Sequence, residues 1–354
     1  MTLKPKIKIL YQMPHPNTVY AGRFIYEGYK NAFLSLGCEF RTLTSNDNLK
    51  ETLYEFKPDI FISSLHSYPL KFLDLDLLSK YRKEKKMFYL SCVSVWRSYS
   101  NQHGSDDLQN NKEYVSMIKK GLVGDAFYNW VEKDSPFMDG FEKITRKPFH
   151  TILLAADSFK YKPSYDERYK ADISYVGHFL LEKRSFLKRC VLPLKGKYDV
   201  KLYGLDWTSY DRFLGNVARV GQYFNIGFLK DIRKLPVVDD NRVYSSSTIN
   251  LNIHGDFQVK YGFELNERTY KIISSGGFEI CDNVKSIRKY FTPDELVIAE
   301  NDTDWFDKIV YYIDNPEKRL PIIEAGMKKV LKYHTYVNRA EQMINIYLKW
   351  LDNA

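Results

Sequence analysis

Apolar runs of four to six residues alternate with amphipathic stretches along the chain. In the first half, 6–11 (KIKILY) reads as a buried strand, and a helical pattern over 21–36 closes at Gly37. Further strands are predicted at 40–42, 59–63 (DIFIS) and 87–91 (MFYLS), with helices over 52–56, before Pro58, and over 75–82. Strands alternating with helices predict a parallel α/β sheet. The polar stretch 101–112 (NQHGSDDLQNNK) reads as a loop, and 113–131 mixes helix and strand signals without resolving them.

The second half repeats the alternation. The strand 172–176 (DISYV) runs into Gly177-His178 and a helix over 183–190; the strand 198–203 (YDVKLY) ends at Gly204 and Trp207. The valines and aromatics of 217–228 predict a loop and a short strand, followed by a helix over 239–247 and a strand over 249–253. A short helix opens at Asn266-Glu267 and stops at Gly276-Gly277, with strands at 278–281 and 296–299. Helices over 286–290, 304–313, 317–333 and 340–351 complete the chain.

Length adds a domain count: 354 residues suffice for two domains with separate cores. No apolar run reaches the length of a spanning helix. The four cysteines include no C-x-x-C pair, which argues against a zinc site or disulfide framework and for a reducing, cytoplasmic compartment. The net charge of +9 favours anionic partners: nucleotides, nucleic acid or an anionic membrane surface. Lys and Arg are dispersed and no nucleic-acid motif occurs, so nucleic acid is not expected.

Ligands of open α/β sheets sit at the carboxyl ends of strands. That rule singles out His15, His66 and His103 in the first half; His15, framed by two prolines, is placed to hold an imidazole as a general base. In the second half it singles out Gly177, His178 and His254. A strand, a glycine and a helix start carrying Lys183 and Arg184 together suit an anion. The opening turn Asn266-Glu267-Arg268-Thr269 offers backbone N–H groups, a helix dipole and a guanidinium to a diphosphate. Each of these also has a plainer reading, as a solvated basic face or an ordinary capped helix. Asp74-x-Asp76 lies in a leucine-rich amphipathic run and reads as structural, so no metal site is expected.

The succession TINLNIH (248–254), NERTYKIISSGGFEICD (266–282), LVIAEND (296–302) and WFDKIVYYIDNPEKRLPIIEAGMKKVLKYHTYVNRAEQMI (305–344) resembles the C-terminal domain of GT-B glycosyltransferases. Within these it is similar to the CgeB-like group and, more distantly, to glycosyltransferase family 4. The YG-x-x-W of 203–207 matches the CgeB-like pattern, and Ala155-Ala156-Asp157 with Tyr161-Lys162-Pro163 resembles the passage before the domain crossover, without the family glycine. The likeness covers 170 to the C-terminus well and the first half only in outline.

The resemblance implies two facing Rossmann-like domains, with an acceptor domain over 1–165 and a nucleotide-sugar domain over 166–338. A helix over 339–354 would return to the first domain. It implies transfer of a sugar from a nucleotide-diphosphate donor to a glycan or lipid-linked hydroxyl, at the cytoplasmic face of a membrane or free of it. Gly177, His178, Lys183, Arg184, His254, Asn266, Glu267, Arg268, Thr269 and Lys271 would hold the donor, without a metal or other cofactor. Glu264 would meet sugar hydroxyls and His15 would serve as base, with His66 and His103 toward the acceptor. Family 4 enzymes carry two glutamates with seven residues between them; the second aligns with Lys271, so Glu267, one turn earlier, is the substitute for the ribose. That departure leaves a second reading open, a non-catalytic nucleotide- or glycan-binding protein.

Overall fold

The computed structural model describes residues 6–17, 21–97, 108–178, 181–224, 226–230, 232 and 239–353. The chain divides into two compact units, 1–157 with 336–354, and 158–335. The crossovers therefore fall at 157/158 and 335/336, a few residues before the boundaries expected at 165 and 338.

The first unit holds six parallel strands: β1 (Lys8–Gln12), β2 (Glu39–Leu43), β3 (Ile60–Ser64), β4 (Phe88–Cys92), β5 (Ala126–Asn129) and β6 (Phe149–Thr151). Their order is β2-β1-β3-β4-β5-β6. Ile60–Ile62 and Phe88–Leu90 are buried on both faces, as a parallel sheet covered by helices requires. Cap chemistry sets the helix starts: Asn48 accepts from the Glu51 amide at the head of Leu49–Phe56, and Asp74 from the Leu77 amide at the head of Leu75–Lys85. Asp74 is thus a cap, in line with its structural reading. The unresolved 113–131 stretch is a helix, Lys112–Lys119, followed by β5.

The final helix, Tyr336–Asp352, belongs to the first unit. Tyr336 is buried against the helix Gly22–Ser35, its ring 4.8 Å from that of Tyr29. Gly28 makes the approach possible: a Cβ there would lie 2.2 Å from the Tyr336 ring. Arg339 Nε donates to the Leu153 carbonyl at 3.0 Å, and Trp350 packs on Phe88.

The second unit has five parallel strands: β7 (Ala171–Val176), β8 (Val200–Tyr203), β9 (Ser247–Asn252), β10 (Glu279–Asp282) and β11 (Val297–Ala299). Their order is β11-β10-β9-β7-β8. One face of β7 and β9 carries Ile173, Tyr175, Ile249 and Leu251 into an apolar core with Leu187, Val191, Trp305 and Ile309. Ser174, Asn250 and Asn252, which alternate with them, are buried and polar beneath the helix Glu267–Ser274.

Two expectations fail here. The 217–228 stretch is not loop and strand: 217–223 close a helix, Ser209–Tyr223, and a short helix, Gly227–Lys230, begins at its end. Leu214, Val217, Ala218 and Gly221 recur at helical spacing and turn inward, which outweighs the β-propensity of the valines. The helix predicted over 183–190 is Leu181–Phe186, continued by wider turns over Leu187–Val191.

Candidate functional site

The site of the second unit begins where β7 ends. The Gly177 amide donates to the Tyr203 carbonyl at 2.8 Å, and Trp207 Nε1 donates to the Gly177 carbonyl at 3.1 Å. Gly204, with φ of +124°, lies so close that a Cβ on it would be 2.3 Å from the Gly177 oxygen. The Tyr203-Gly204…Trp207 pattern is therefore the clasp that fixes the end of the neighbouring strand. Gly177 itself has no room for a side chain: a Cβ would meet Arg268 Nη2 at 2.7 Å and the Tyr175 hydroxyl at 2.6 Å.

Arg268 occupies that space. Its guanidinium sits over the Tyr175 ring, 5.1 Å from the centroid, and Nη1 donates to Asn252 Oδ1 at 3.1 Å and the Ile253 carbonyl at 3.3 Å. Burial works against its charge, but Tyr175, Tyr244, Glu279 and Asp282 outweigh it and hold the pKa above the ordinary arginine value. Lys183 Nζ donates to the same Ile253 carbonyl at 2.8 Å, so two cations converge on one oxygen at the carboxyl end of β9. Arg184 and His178 are half-buried nearby in sequence.

Asn252 is the hub beneath. Fully buried, it accepts from Asn266 Nδ2 at 2.8 Å and from Arg268, while its own amide donates to Thr269 Oγ1 at 2.8 Å and Glu279 Oε1 at 2.7 Å. Burial pushes the Glu279 carboxyl well above its usual range, against the lowering effects of Asn252 and Arg268. Ser174 Oγ donates to Asn250 Oδ1, and Asn250 Nδ2 to the Tyr244 carbonyl, extending the polar column along β9. These buried amides are tolerable because they are hydrogen-bonded.

Asn266 caps the helix Glu267–Ser274, accepting from the Thr269 amide at 3.2 Å. Thr269 is buried and engaged by Asn252, so it anchors the helix rather than facing solvent. Glu267 and Lys271 form a buried i,i+4 pair at 2.7 Å, and the Lys271 ammonium lies 5.1 Å from the Tyr161 ring centroid. Glu264 is half-buried in the preceding loop. His254 is buried, its Nδ1 2.6 Å from Asp282 Oδ1 and its backbone amide donating to the same carboxylate.

The first-unit candidates are arranged differently. His15 is exposed, with Nε2 against the Tyr68 hydroxyl and its ring near Phe72. His66 is exposed at the head of the short helix Ser67–Leu70. His103 lies outside the described residues. The structure brings Gly177, Lys183, His254, Asn266, Arg268 and Thr269 into one connected group, and adds residues that pattern reading passed over: Tyr175, Asn252, Glu279 and Asp282. The alternation of asparagine with apolar residues in TINLNIH was the only signal for Asn252.

Residues 183–345 match the family model described as "Glycosyl transferase-like". No curated protein sequence matches the chain. Among solved structures, sucrose-phosphate synthase from Thermosynechococcus elongatus aligns with a TM-score of 0.63 at 13% identity, covering 99% of this chain and 100% of that one. An α-glucosyltransferase in complex with UDP-glucose and DNA containing an abasic site aligns at 0.65 and 10% identity, over 97% and 99%. Anabaena HepE in complex with UDP and glucose aligns at 0.59 and 10% identity, over 97% and 100%. At such identities the likenesses establish the fold: two Rossmann-like units of the GT-B class.

Proposed function

We propose that this GT-B chain, whose residues 183–345 carry a glycosyl transferase-like domain, transfers a sugar from a nucleotide-diphosphate donor to a hydroxyl acceptor. The observation that carries the reading is the convergence of Arg268 and Lys183 on the Ile253 carbonyl beside Gly177. In the transfer, the acceptor oxygen bonds to the anomeric carbon as the anomeric C–O bond to the diphosphate breaks, and that electron pair leaves on the diphosphate. Charge growing on the leaving group is what a guanidinium, an ammonium and backbone amides stabilise, and they do so here without calling on a metal. We assign Glu267 to the ribose hydroxyls and Glu264 to the sugar. His15 is our candidate to take the acceptor proton if the reaction inverts. UDP in the similar structures makes a uridine donor the first to try. The acceptor is a glycan or lipid-linked sugar; exposed Tyr210, Phe213, Tyr223 and Phe228 and the +9 charge support contact with an anionic membrane.

Diphosphate released from UDP-, GDP- and dTDP-sugars, with and without added glycan acceptors, tests the reading. Turnover of one donor that disappears in Arg268→Gln supports it. Lys271, where family 4 has a glutamate, favours the second reading of a binding protein that has lost catalysis. Tight nucleotide binding with no release from any donor would establish that second reading instead.

A further inference from the structure

Four helices of the first unit finish at the amino ends of its strands, the edge opposite the ligand edge. They are Leu49–Phe56 before β3, Leu75–Lys85 before β4, Lys112–Lys119 before β5 and Phe141–Thr145 before β6. Their ends are neighbours. The rings of Tyr54 and Tyr81 lie 5.2 Å apart, Arg82 Nη1 donates to the Gly121 carbonyl at 2.6 Å, and Lys147 Nζ lies 3.1 Å from where a Gly121 Cβ would be. Each end presents exposed cations: Lys57, Lys86, Lys119 with Lys120, and Lys143 with Arg146. Among the described residues none of these side chains has an ion-pair partner.

Three of the cations stand where the backbone favours glycine. Lys57, Lys86 and Arg146 close their helices with φ of +53°, +53° and +60°, and a side chain there crowds the backbone. Elsewhere the chain puts glycine in the same left-handed turn, at Gly37, Gly262 and Gly276. The helix dipole does not account for the exchange: Leu75–Lys85 already has Arg82, Lys83 and Lys85 in its last turn, and Phe141–Thr145 has Lys143. Nor do neighbouring carboxylates, which are engaged elsewhere. Glu84 pairs with Lys85 at 2.9 Å, Asp125 with Arg82, Glu142 with Lys133 at 2.7 Å and Glu55 with Arg41 at 3.3 Å, while Asp59 accepts from the Lys8 amide at 2.8 Å.

Cations kept at strained positions without counter-charges in the protein suit an anion from outside it. Their arrangement is a line: helices side by side are about 8–10 Å apart, so four ends span about 30 Å. Among the described residues these helices expose two large apolar side chains, Tyr54 and Ile144, and the Tyr54 hydroxyl donates to Glu84 at 3.3 Å. That is too little to enter a bilayer, and it offers no series of rings on which bases could stack. A linear polymer whose charges recur along a hydroxyl-rich chain fits best.

We infer that this edge of the first unit holds an acidic glycan, its carboxylate or phosphate groups laid along the row from Lys57 to Arg146. At the amino ends of the strands, away from the ligand edge, the row retains polymer and takes no part in bond making. The inference narrows the glycan acceptor proposed above to a charged one, and rests on that reading for the polymer's use.

Binding of the full chain to polygalacturonate tests it, with neutral dextran, single-stranded DNA and phosphatidylglycerol vesicles as comparisons. The wild type is expected to bind polygalacturonate more tightly than the other three, and less tightly as salt is added. Lys57→Gly/Lys86→Gly/Arg146→Gly is expected to weaken that binding at least tenfold while melting no lower than the wild type, because glycine relieves the three turns. Lys119→Gln/Lys120→Gln, which leaves those turns alone, is expected to weaken it about threefold or more. Binding unchanged in both variants overturns the inference. So does a triple variant that melts below the wild type, which makes the cations helix closures, and so does tighter binding of DNA or vesicles than of polygalacturonate. Diphosphate release from UDP-glucose is expected to be equal in the wild type and the triple variant. Release without polymer binding sinks this inference alone; polymer binding that the triple variant loses, with no release from any donor, sinks the transfer reading and leaves the edge a glycan-binding surface.

Discussion

Exchanging the charges of Glu267 and Lys271 asks whether the site uses its carboxylate where it stands. Their side chains are only 9% and 7% exposed, and the charged atoms lie 2.7 Å apart on successive turns of one helix. Lys271→Glu alone replaces this pair with two buried carboxylates. Removing one partner of a buried ion pair costs about 3–5 kcal/mol, so about 4 kcal/mol of unfolding free energy is the expected loss. That is a large share of the roughly 5–15 kcal/mol that holds a domain folded. The double variant Glu267→Lys/Lys271→Glu restores the pair in the opposite order. Lysine ahead of glutamate at this spacing is weaker by a few tenths of a kcal/mol, and losing an acid from the first turn costs about 0.3–1 kcal/mol. The swapped protein is therefore expected within about 1.5 kcal/mol of the wild type. Urea unfolding measures all three. Calorimetry on the swapped protein then reads the site, where a carboxylate displaced by one turn is expected to weaken nucleoside diphosphate binding at least tenfold, about 1.4 kcal/mol. A cost below about 1 kcal/mol for Lys271→Glu, or a double variant as unstable as the single, refutes the buried-pair argument. Undiminished binding by the swapped protein takes Glu267 out of the ribose role.

Glu279 predicts a pH dependence. Its folded pKa is raised well above 4.5, so the native state keeps a proton that the unfolded chain releases, and stability falls as pH rises from about 4.5 toward the folded value. Glu279→Gln, which cannot ionise, is expected to melt progressively higher than the wild type as pH rises above 4.5 and to show no such gain below it; a pH-independent difference in melting temperature contradicts the raised carboxyl pKa. Gly177→Ala places a methyl 2.7 Å from Arg268 Nη2, and is expected to cut nucleotide affinity by about tenfold through displacement of the guanidinium. Unchanged affinity by titration means that the guanidinium's position beside Gly177 does not matter. All four cysteines are buried, and burial raises the Cys92 thiol to about 12 and the Cys190 thiol to about 11. A thiol reagent is therefore expected to label none of them quickly in the native protein and all four in urea; one fast native thiol counts against these packing positions.

Local chemistry was enough for much of this protein. The alternation of short apolar runs with amphipathic stretches determined two parallel α/β sheets, and Asn48, Asp74 and Asn266 set helix starts by capping groups within a turn of themselves. The i,i+4 spacing of Glu267 and Lys271 determined that they meet, since helix geometry alone puts them on one face. Where two local signals competed, as in Ser209–Tyr223, the strand propensity of valine masked a helical spacing that was nonetheless present.

What the sequence did not determine are the encounters between residues far apart in the chain. Thr248, Asn250 and Asn252 alternate with Ile249, Leu251 and Ile253, a pattern that reads equally well as a polar face in water. Only the packing of the helix Glu267–Ser274 over that face turns Asn252 into a buried hub for Arg268, Asn266, Thr269 and Glu279. Trp207 holding the Gly177 carbonyl and two cations sharing the Ile253 carbonyl are of the same kind. A residue's period along the chain says which face it takes; what covers that face, and so whether a polar group there is solvated or made to hold another, is decided when the layers close.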